Sequence, residues 1–200
     1  MTATDATPNF NLYVIKEFLE ARACNKIINE LSGVSHSPAT VYGNDHAGSV
    51  DDRVRKTIRL IPESETLELV NMRLSELRSE VGNHFGIRLD RFEDPQFLRY
   101  CVGDFFVAHQ DGNTGLLLSE REQFRKISVV VFLNQEAEAP ESGLFCGGSL
   151  VFTEWRAGRT MGQYRLIPEQ GMLVAFPSEL THEVMPVTCG ERYSIVSWYG

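Results

Sequence analysis

The feature that most constrains this chain is a change of hydrophobic period near residue 86. Before it, apolar residues recur every three to four positions. Ala21, Cys24, Ile27, Ile28 and Leu31 follow Phe18, and Leu67, Val70, Leu74, Leu77, Val81 and Phe85 follow Pro62-Glu63-Ser64. These are two amphipathic helices, the first closed by Gly33 and the second fraying at Gly82 and Gly86. After it, the period is 2. Strands are predicted over 87–92, 96–102, 105–111, 127–133, 149–152, 164–167, 172–176, 182–187 and 193–199, with shorter ones at 10–15 and 57–61. Short strands at this density, separated by Gly and Pro turns, close into a sandwich or barrel. The expected architecture is therefore mostly β with supporting helices (α+β). One domain covers 1–200, with 1–86 as support and 87–200 as a β-core. Residues 1–9 read as a loose terminus and 34–52 as a long loop. Two further loops without a period, 112–126 and 135–147, have the length of lids or binding loops.

Composition removes several functional classes. With 42% hydrophobic residues in 200, the chain can bury a core without staples. A net charge of −8 argues against a nucleic-acid partner, which needs a basic face. No apolar run approaches the ~20 residues of a membrane helix, and residues 1–9 lack the basic start and apolar centre of a signal peptide. Cys24, Cys101, Cys146 and Cys189 are far apart with no C-x-x-C, and read as reduced thiols of a cytoplasmic protein. The oligomeric state is left open.

Three segments carry chemistry. On a strand, residues i and i+2 share a face, so His109 and Asp111 point together. An imidazole beside a carboxylate is a pair of metal ligands or simply a hydrogen-bonded pair at a strand end. His182, just past Phe176-Pro177, is a third ligand or a structural histidine. In the last segment, Arg192, Ser194, Val196 and Trp198 share one face. An Arg heading an apolar strand asks for an anion, and a hydroxyl two residues on completes a carboxylate clamp. Two histidines and one carboxylate together form the facial triad of non-haem Fe(II) oxygenases, with coordination positions left for a chelating co-substrate and O₂.

At this point the motifs converge. Tyr100-x-x-Gly103, His109-x-Asp111, Phe132-Leu133-Asn134, Gly147-Gly148-Ser149-Leu150, His182-Glu183-Val184-x-Pro186-Val187, Gly190-Glu191-Arg192-Tyr193-Ser194 and Trp198 resemble the prolyl 4-hydroxylase-like branch of the 2-oxoglutarate/Fe(II) dioxygenases. The resemblance is close over 96–200 and looser over the first helix and Val54-Arg55-Lys56-Thr57. It implies a double-stranded β-helix (jelly-roll, cupin-like) core with N-terminal helices packed on one sheet. It makes His109, Asp111 and His182 the iron ligands. Arg192 and Ser194 become the holders of the distal carboxylate of 2-oxoglutarate, and Tyr100 a further contact to that co-substrate. Fe(II), 2-oxoglutarate and O₂ would be required, with ascorbate as a reductant. The implied reaction couples decarboxylation of 2-oxoglutarate to succinate and CO₂ with hydroxylation of a prolyl or similar residue, in a peptide or as a small amino-acid-like molecule.

Some relatives carry a Tyr on the strand that here reads Val129-Val130-Val131-Phe132, which leaves the second contact to that carboxylate unassigned. Asp111 itself argues for hydroxylation, because iron halogenases replace this carboxylate with a small residue to admit halide. The second Arg of nucleic-acid demethylases is absent from the last strand. Arg53, Arg55, Lys56 and Arg59 form either a substrate-greeting cluster or a solvated face paired with Asp51 and Asp52, and Glu136, Glu138 and Glu141 give the 135–147 loop a negative character. His36, His46 and His84 read as solvent-facing. The alternative from another class is a non-catalytic jelly-roll metal-binding or sensor protein.

Overall fold

The structure is a computed structural model, which describes residues 10–33, 36–38, 51, 53–112, 120–156 and 159–200. In chain order the elements are β1 (Tyr13–Ile15), α1 (Ala21–Leu31), β2 (His36–Pro38), β3 (Arg55–Lys56), β4 (Ile58–Leu60) and α2 (Ser64–Phe85). There follow β5 (Gln96–Tyr100), β6 (Phe105–His109), α3 (Glu120–Phe124), β7 (Ile127–Phe132) and β8 (Cys146–Gly147). The chain ends with β9 (Leu150–Arg156), β10 (Arg159–Leu166), β11 (Leu173–Pro177), β12 (Thr181–Val184), β13 (Val187–Cys189) and β14 (Arg192–Tyr199).

Two sheets face each other. The larger has the order β1-β11-β7-β14-β5-β4-β2, the smaller β10-β9-β12-β6-β3, and β13 pairs with β8 alone. Strand alternation sends β5, β7, β11 and β14 of the larger sheet into two different cores. Phe97, Val129, Val131, Leu173, Tyr193 and Ile195 point outward, onto Cys24, Ile27 and Leu31 of α1 and Val70, Leu74, Leu77 and Val81 of α2. Leu98, Tyr100, Val130, Phe132, Val174 and Phe176 point inward, toward Leu150, Phe152 and Val184 of the smaller sheet. A one-residue slip would exchange these faces, so register is fixed on both sides. The helices thus buttress one sheet, as expected, and the inner space is left for a site. Tyr199 anchors the arrangement by donating its hydroxyl to the Leu74 carbonyl of α2 at 2.6 Å.

Several expectations change. Residues 87–92 form no strand; only Phe92 makes an isolated bridge, to Tyr199. The Asp90 and Arg91 amides instead donate to the Gly200 carbonyl, and charged side chains interrupt the apolar alternation that a paired strand needs. The hairpin β9–β10 is longer than its alternating parts because its outer half is paired but solvated, with a bulge between Thr160 and Gly162. The 34–52 loop contains β2, the 112–126 loop contains α3, and the 135–147 loop ends in β8. Residues 1–9, 39–50 and 113–119 lie outside the described residues, and His46 with them.

The cysteine reading is corrected. Cys146 and Cys189 are disulfide-bonded, across 43 positions, and staple β8 to β13; Cys24 and Cys101 are free. Nothing in the spacing of four scattered cysteines announces that a short two-stranded ribbon sets two of them side by side. Glu136 also departs from its expected role. Its side chain is buried and takes hydrogen bonds from Ser149 and Arg165, so it gives the loop no outward negative charge. Arg53 does pair with Asp51, at 3.0 Å. Among the described residues no helix is long and apolar enough to cross a membrane.

Candidate metal centre

β6 and β12 are antiparallel neighbours in the smaller sheet, and their register sets His182 directly opposite His109. Asp111 lies two residues past His109, where the Asp111 and Gly112 amides both donate to the Ser178 carbonyl, at 2.8 and 3.3 Å. This turn swings the carboxylate between the imidazoles. His109 Nε2 is 3.5 Å from one Asp111 oxygen and His182 Nε2 is 3.4 Å from the other. One ligating atom from each of the three residues lies within 4.8 Å of the others. Sequence reasoning brought these three together, and they are together.

The surroundings prepare all three as ligands. His109 Nδ1 donates to the Val107 carbonyl at 2.8 Å, and His182 Nδ1 to the Leu180 carbonyl at 2.9 Å. Each bond fixes the ring so that Nε2 carries the lone pair and faces its neighbours. Phe106 stacks on His109 with ring centroids 3.5 Å apart, and Phe176 meets the His182 ring edge-on at 4.7 Å. Ser128 donates to Asp111 Oδ2 at 2.7 Å. Its proton being used there, the 2.9 Å contact to Ser178 must run from the Ser178 hydroxyl to the Ser128 oxygen. Burial, followed by the neighbouring His109, pushes His182 down to about 4 against the pull of Asp111. Burial also pushes the Asp111 carboxyl upward, but the imidazoles and the Ser128 hydroxyl outweigh it and hold it well below the usual range. Neutral imidazole and ionised carboxylate are the forms that coordinate a cation.

Arg192 sits deeper, at the head of β14 and opposite Tyr100 of β5. It is 1% exposed. Its guanidinium lies between the rings of Tyr100 and Phe132, at 5.1 and 5.0 Å, and Nη1 donates to Ser194 Oγ at 2.9 Å. Nε has no partner, and among the described residues no carboxylate forms an ion pair with Arg192. A buried cation with an orphaned donor costs several kcal/mol unless an anion joins it. Gly148 makes room for the arginine: its φ is +62°, and a Cβ there would stand 2.9 Å from Val187 Cγ2 and 3.1 Å from Arg192 Cδ.

His109, Asp111, His182, Arg192, Ser194 and Tyr100 all border one cavity of about 170 Å³ between the sheets. Ser128 and Ser178 went unforeseen, though a serine facing inward on the otherwise apolar β7 is a usable sign. Gln96 and Arg125, which border the same cavity, also carry no motif of their own, whereas Trp198, one of the motif residues, forms part of its wall.

A double-stranded β-helix whose inner space holds two histidines, a carboxylate and a buried arginine defines a class of metal-dependent oxygenase folds. The chain belongs to the 2OG-Fe(II) oxygenase superfamily, whose model matches residues 95–200. A PKHD-type hydroxylase of Paracoccus denitrificans (strain Pd 1222) is 31% identical over 163 residues, 80% of this chain and 66% of that protein. One from Stenotrophomonas maltophilia (strain R551-3) is 31% identical over 137 residues, 62% of this chain and 56% of that protein. The chain thus spans between somewhat over half and just under two thirds of the length of these relatives. Among solved structures, a Pseudomonas putida prolyl-4-hydroxylase aligns with a TM-score of 0.70 at 24% identity, covering 96% of this chain and 93% of that one. A Trichoplax adhaerens prolyl hydroxylase in complex with a hypoxia inducible factor peptide fragment gives 0.72 at 19%, covering 96% and 84%. At these identities the likeness is one of fold. Membership of this superfamily carries Fe(II) as the metal and 2-oxoglutarate as the co-substrate.

Proposed function

We propose that this protein is a hydroxylase that uses Fe(II), 2-oxoglutarate and O₂ to oxidise a C–H bond of a prolyl or similar amino-acid residue. His109, Asp111 and His182 hold the iron, while Arg192 with Ser194, over Tyr100, holds the distal carboxylate of 2-oxoglutarate. One observation carries this reading. A fully buried, unpaired arginine shares a cavity with a His/Asp/His cluster of coordinating atoms, so cation and dicarboxylate each find the charge they lack. The PKHD-type and prolyl hydroxylase names of its relatives supply the substrate class.

When bound, the iron and 2-oxoglutarate supply the oxidising chemistry, with succinate and CO₂ as by-products. The chain's own residues bind, orient and exclude water. The Val107 and Leu180 carbonyls keep both histidines in the ligating tautomer. Ser128 holds Asp111 in place, the Phe106 and Phe176 rings dry the metal's flanks, and Arg192 fixes the far end of the co-substrate. No side chain is needed as a general base. Residues 1–200 are read as one catalytic domain, with 1–86 as support and 87–200 as core. A cytoplasmic setting belongs to the proposal: it rests on Cys24 and Cys101 as free thiols, and the Cys146–Cys189 bridge is what it must accommodate.

The test is succinate release from 2-oxoglutarate with Fe(II), O₂ and ascorbate, comparing wild type with His109→Ala. Iron-dependent succinate from the wild type alone is expected. Equal release from both would remove His109 from the site, and none from either would favour a non-catalytic metal-binding protein.

A further inference from the structure

Arg192 has no carboxylate in ion-pair contact among the described residues, yet a buried carboxylate stands close behind it. Glu136 is bridged to Phe145: the Ala137 amide donates to the Phe145 carbonyl at 2.7 Å, and the Phe145 amide to the Gln135 carbonyl at 3.3 Å. Phe145 and the arginine stem both press on Gly148, where a Cβ would stand 3.4 Å from Phe145 Cδ2 and 3.1 Å from Arg192 Cδ. Glu136 and Arg192 thus flank one short segment, 145–149. Burial pushes the arginine toward its neutral form, while Tyr100 and then Glu136 work against it, so the Glu136 charge reaches the guanidinium.

Opposite charges this near each other in a dry interior attract strongly. They are kept apart because Glu136 is held from the other side. Both of its oxygens lie 3.1 Å from Ser149 Oγ. Arg165 reaches in from the edge strand β10, its side chain 57% exposed. Its Nη2 pairs with Glu136, and its Nε donates to Ser149 Oγ at 2.7 Å. The serine hydroxyl accepts from Arg165 and has one proton to give, which goes to Glu136. One guanidinium therefore grips both the carboxylate and the hydroxyl bonded to it. Arg192 borders the cavity and Glu136 stands behind its wall. Were Glu136 to swing onto Arg192, an anion entering the cavity would have to displace a buried ion pair.

Building on the oxygenase reading, we propose that Arg165 is a positioning residue: with Ser149 it holds the Glu136 carboxylate off Arg192, and so reserves that guanidinium for the distal carboxylate of 2-oxoglutarate. The chain carries its own competitor for the co-substrate, tied back by an ion pair at the surface. The metal cluster adjoins the other end of the cavity. Asp111 is tied to Ser128, the register partner of Trp198, six residues along β14 from Arg192. The device therefore acts on the co-substrate and leaves the iron ligands untouched.

The experiment titrates Fe(II)-loaded protein with 2-oxoglutarate by anaerobic calorimetry and measures succinate release at varied 2-oxoglutarate. It uses wild type, Arg165→Gln, Glu136→Gln and the double variant. Arg165→Gln should weaken 2-oxoglutarate binding about tenfold and raise its KM, with kcat and Fe(II) affinity as in the wild type. Glu136→Gln should bind 2-oxoglutarate at least as tightly as the wild type. In the double variant the affinity should return to the wild-type value, because no carboxylate is left to restrain; a pair that merely braced the fold would show no such rescue. Wild-type affinity in Arg165→Gln, or a double variant no tighter than Arg165→Gln, would overturn the inference. If Arg165→Gln fails to bind iron, Glu136→Gln decides alone: weakened 2-oxoglutarate binding with iron retained would overturn it, and undiminished binding would uphold it. Equal 2-oxoglutarate affinity in wild type and Arg192→Ala would instead defeat the reading of Arg192 on which the inference rests.

Discussion

At the scale of the residue, the site is a set of groups whose direction is settled before any ligand arrives. Ser128 donates to Asp111, so Ser128→Ala should weaken Fe(II) affinity about 10- to 100-fold, as outer partners of metal ligands do; metal titration of the folded variant checks this. Burial lowers His182 to about 4 in the folded protein, against an ordinary value near 6.5. The unfolded chain therefore takes up the proton first. The stability this neutral histidine lends the metal-free protein is complete above about pH 6.5, and up to ~3 kcal/mol of it is lost as pH falls toward 4. Asp111, held low, extends the loss below that range. Thermal unfolding of metal-free protein between pH 7 and 4.5 should show a falling midpoint, and His182→Gln should flatten the slope. His109, Asp111, His182 and Arg192 were legible in the sequence because each is a charged or coordinating residue out of keeping with its apolar strand. Gln96 and Ser128 were not, because an amide or hydroxyl on a strand is common, and only the register reveals which cavity it faces.

At the scale of the element, the short ribbon β8–β13 supports the arginine. Its disulfide ends three residues before Arg192, and Gly148 follows it with no Cβ to press on the arginine stem. Closing a loop of 43 positions stabilises by about 4 kcal/mol in the chain-entropy account. Replacing both Cys146 and Cys189 with Ser should lower the unfolding midpoint and raise the KM for 2-oxoglutarate. Gly148→Ala should raise that KM with the disulfide intact; an unchanged KM would detach the ribbon from the co-substrate end. Helices α1 and α2 were legible because their apolar stripes are long and regular. The ribbon was hidden inside a loop reading, since two residues of strand carry no period. Residues 87–92 show the reverse error: an alternation interrupted by charge, which leaves only a single bridge, Phe92 to Tyr199, on the end of β14.

At the scale of the whole molecule, two sheets hold one cavity and two helices brace the larger sheet. Each central strand contributes to both cores, so the fold and the site depend on the same register. The switch of period near residue 86 already implied this division, with helices for support and strands for the chamber. What it could not supply was the depth of the chamber or its two chemically different ends, because these arise from strands distant in the chain, such as β5 and β14. The central claim is that one cavity binds metal and co-substrate through separable groups. Calorimetric titration with Fe(II), then with 2-oxoglutarate under anaerobic conditions, tests it on wild type, His109→Ala and Arg192→Ala. The expected result is one Fe(II) per wild-type chain followed by 2-oxoglutarate, iron binding lost in His109→Ala, and iron retained with 2-oxoglutarate binding strongly weakened in Arg192→Ala. Wild-type iron affinity in His109→Ala, or unchanged 2-oxoglutarate affinity in Arg192→Ala, would contradict it.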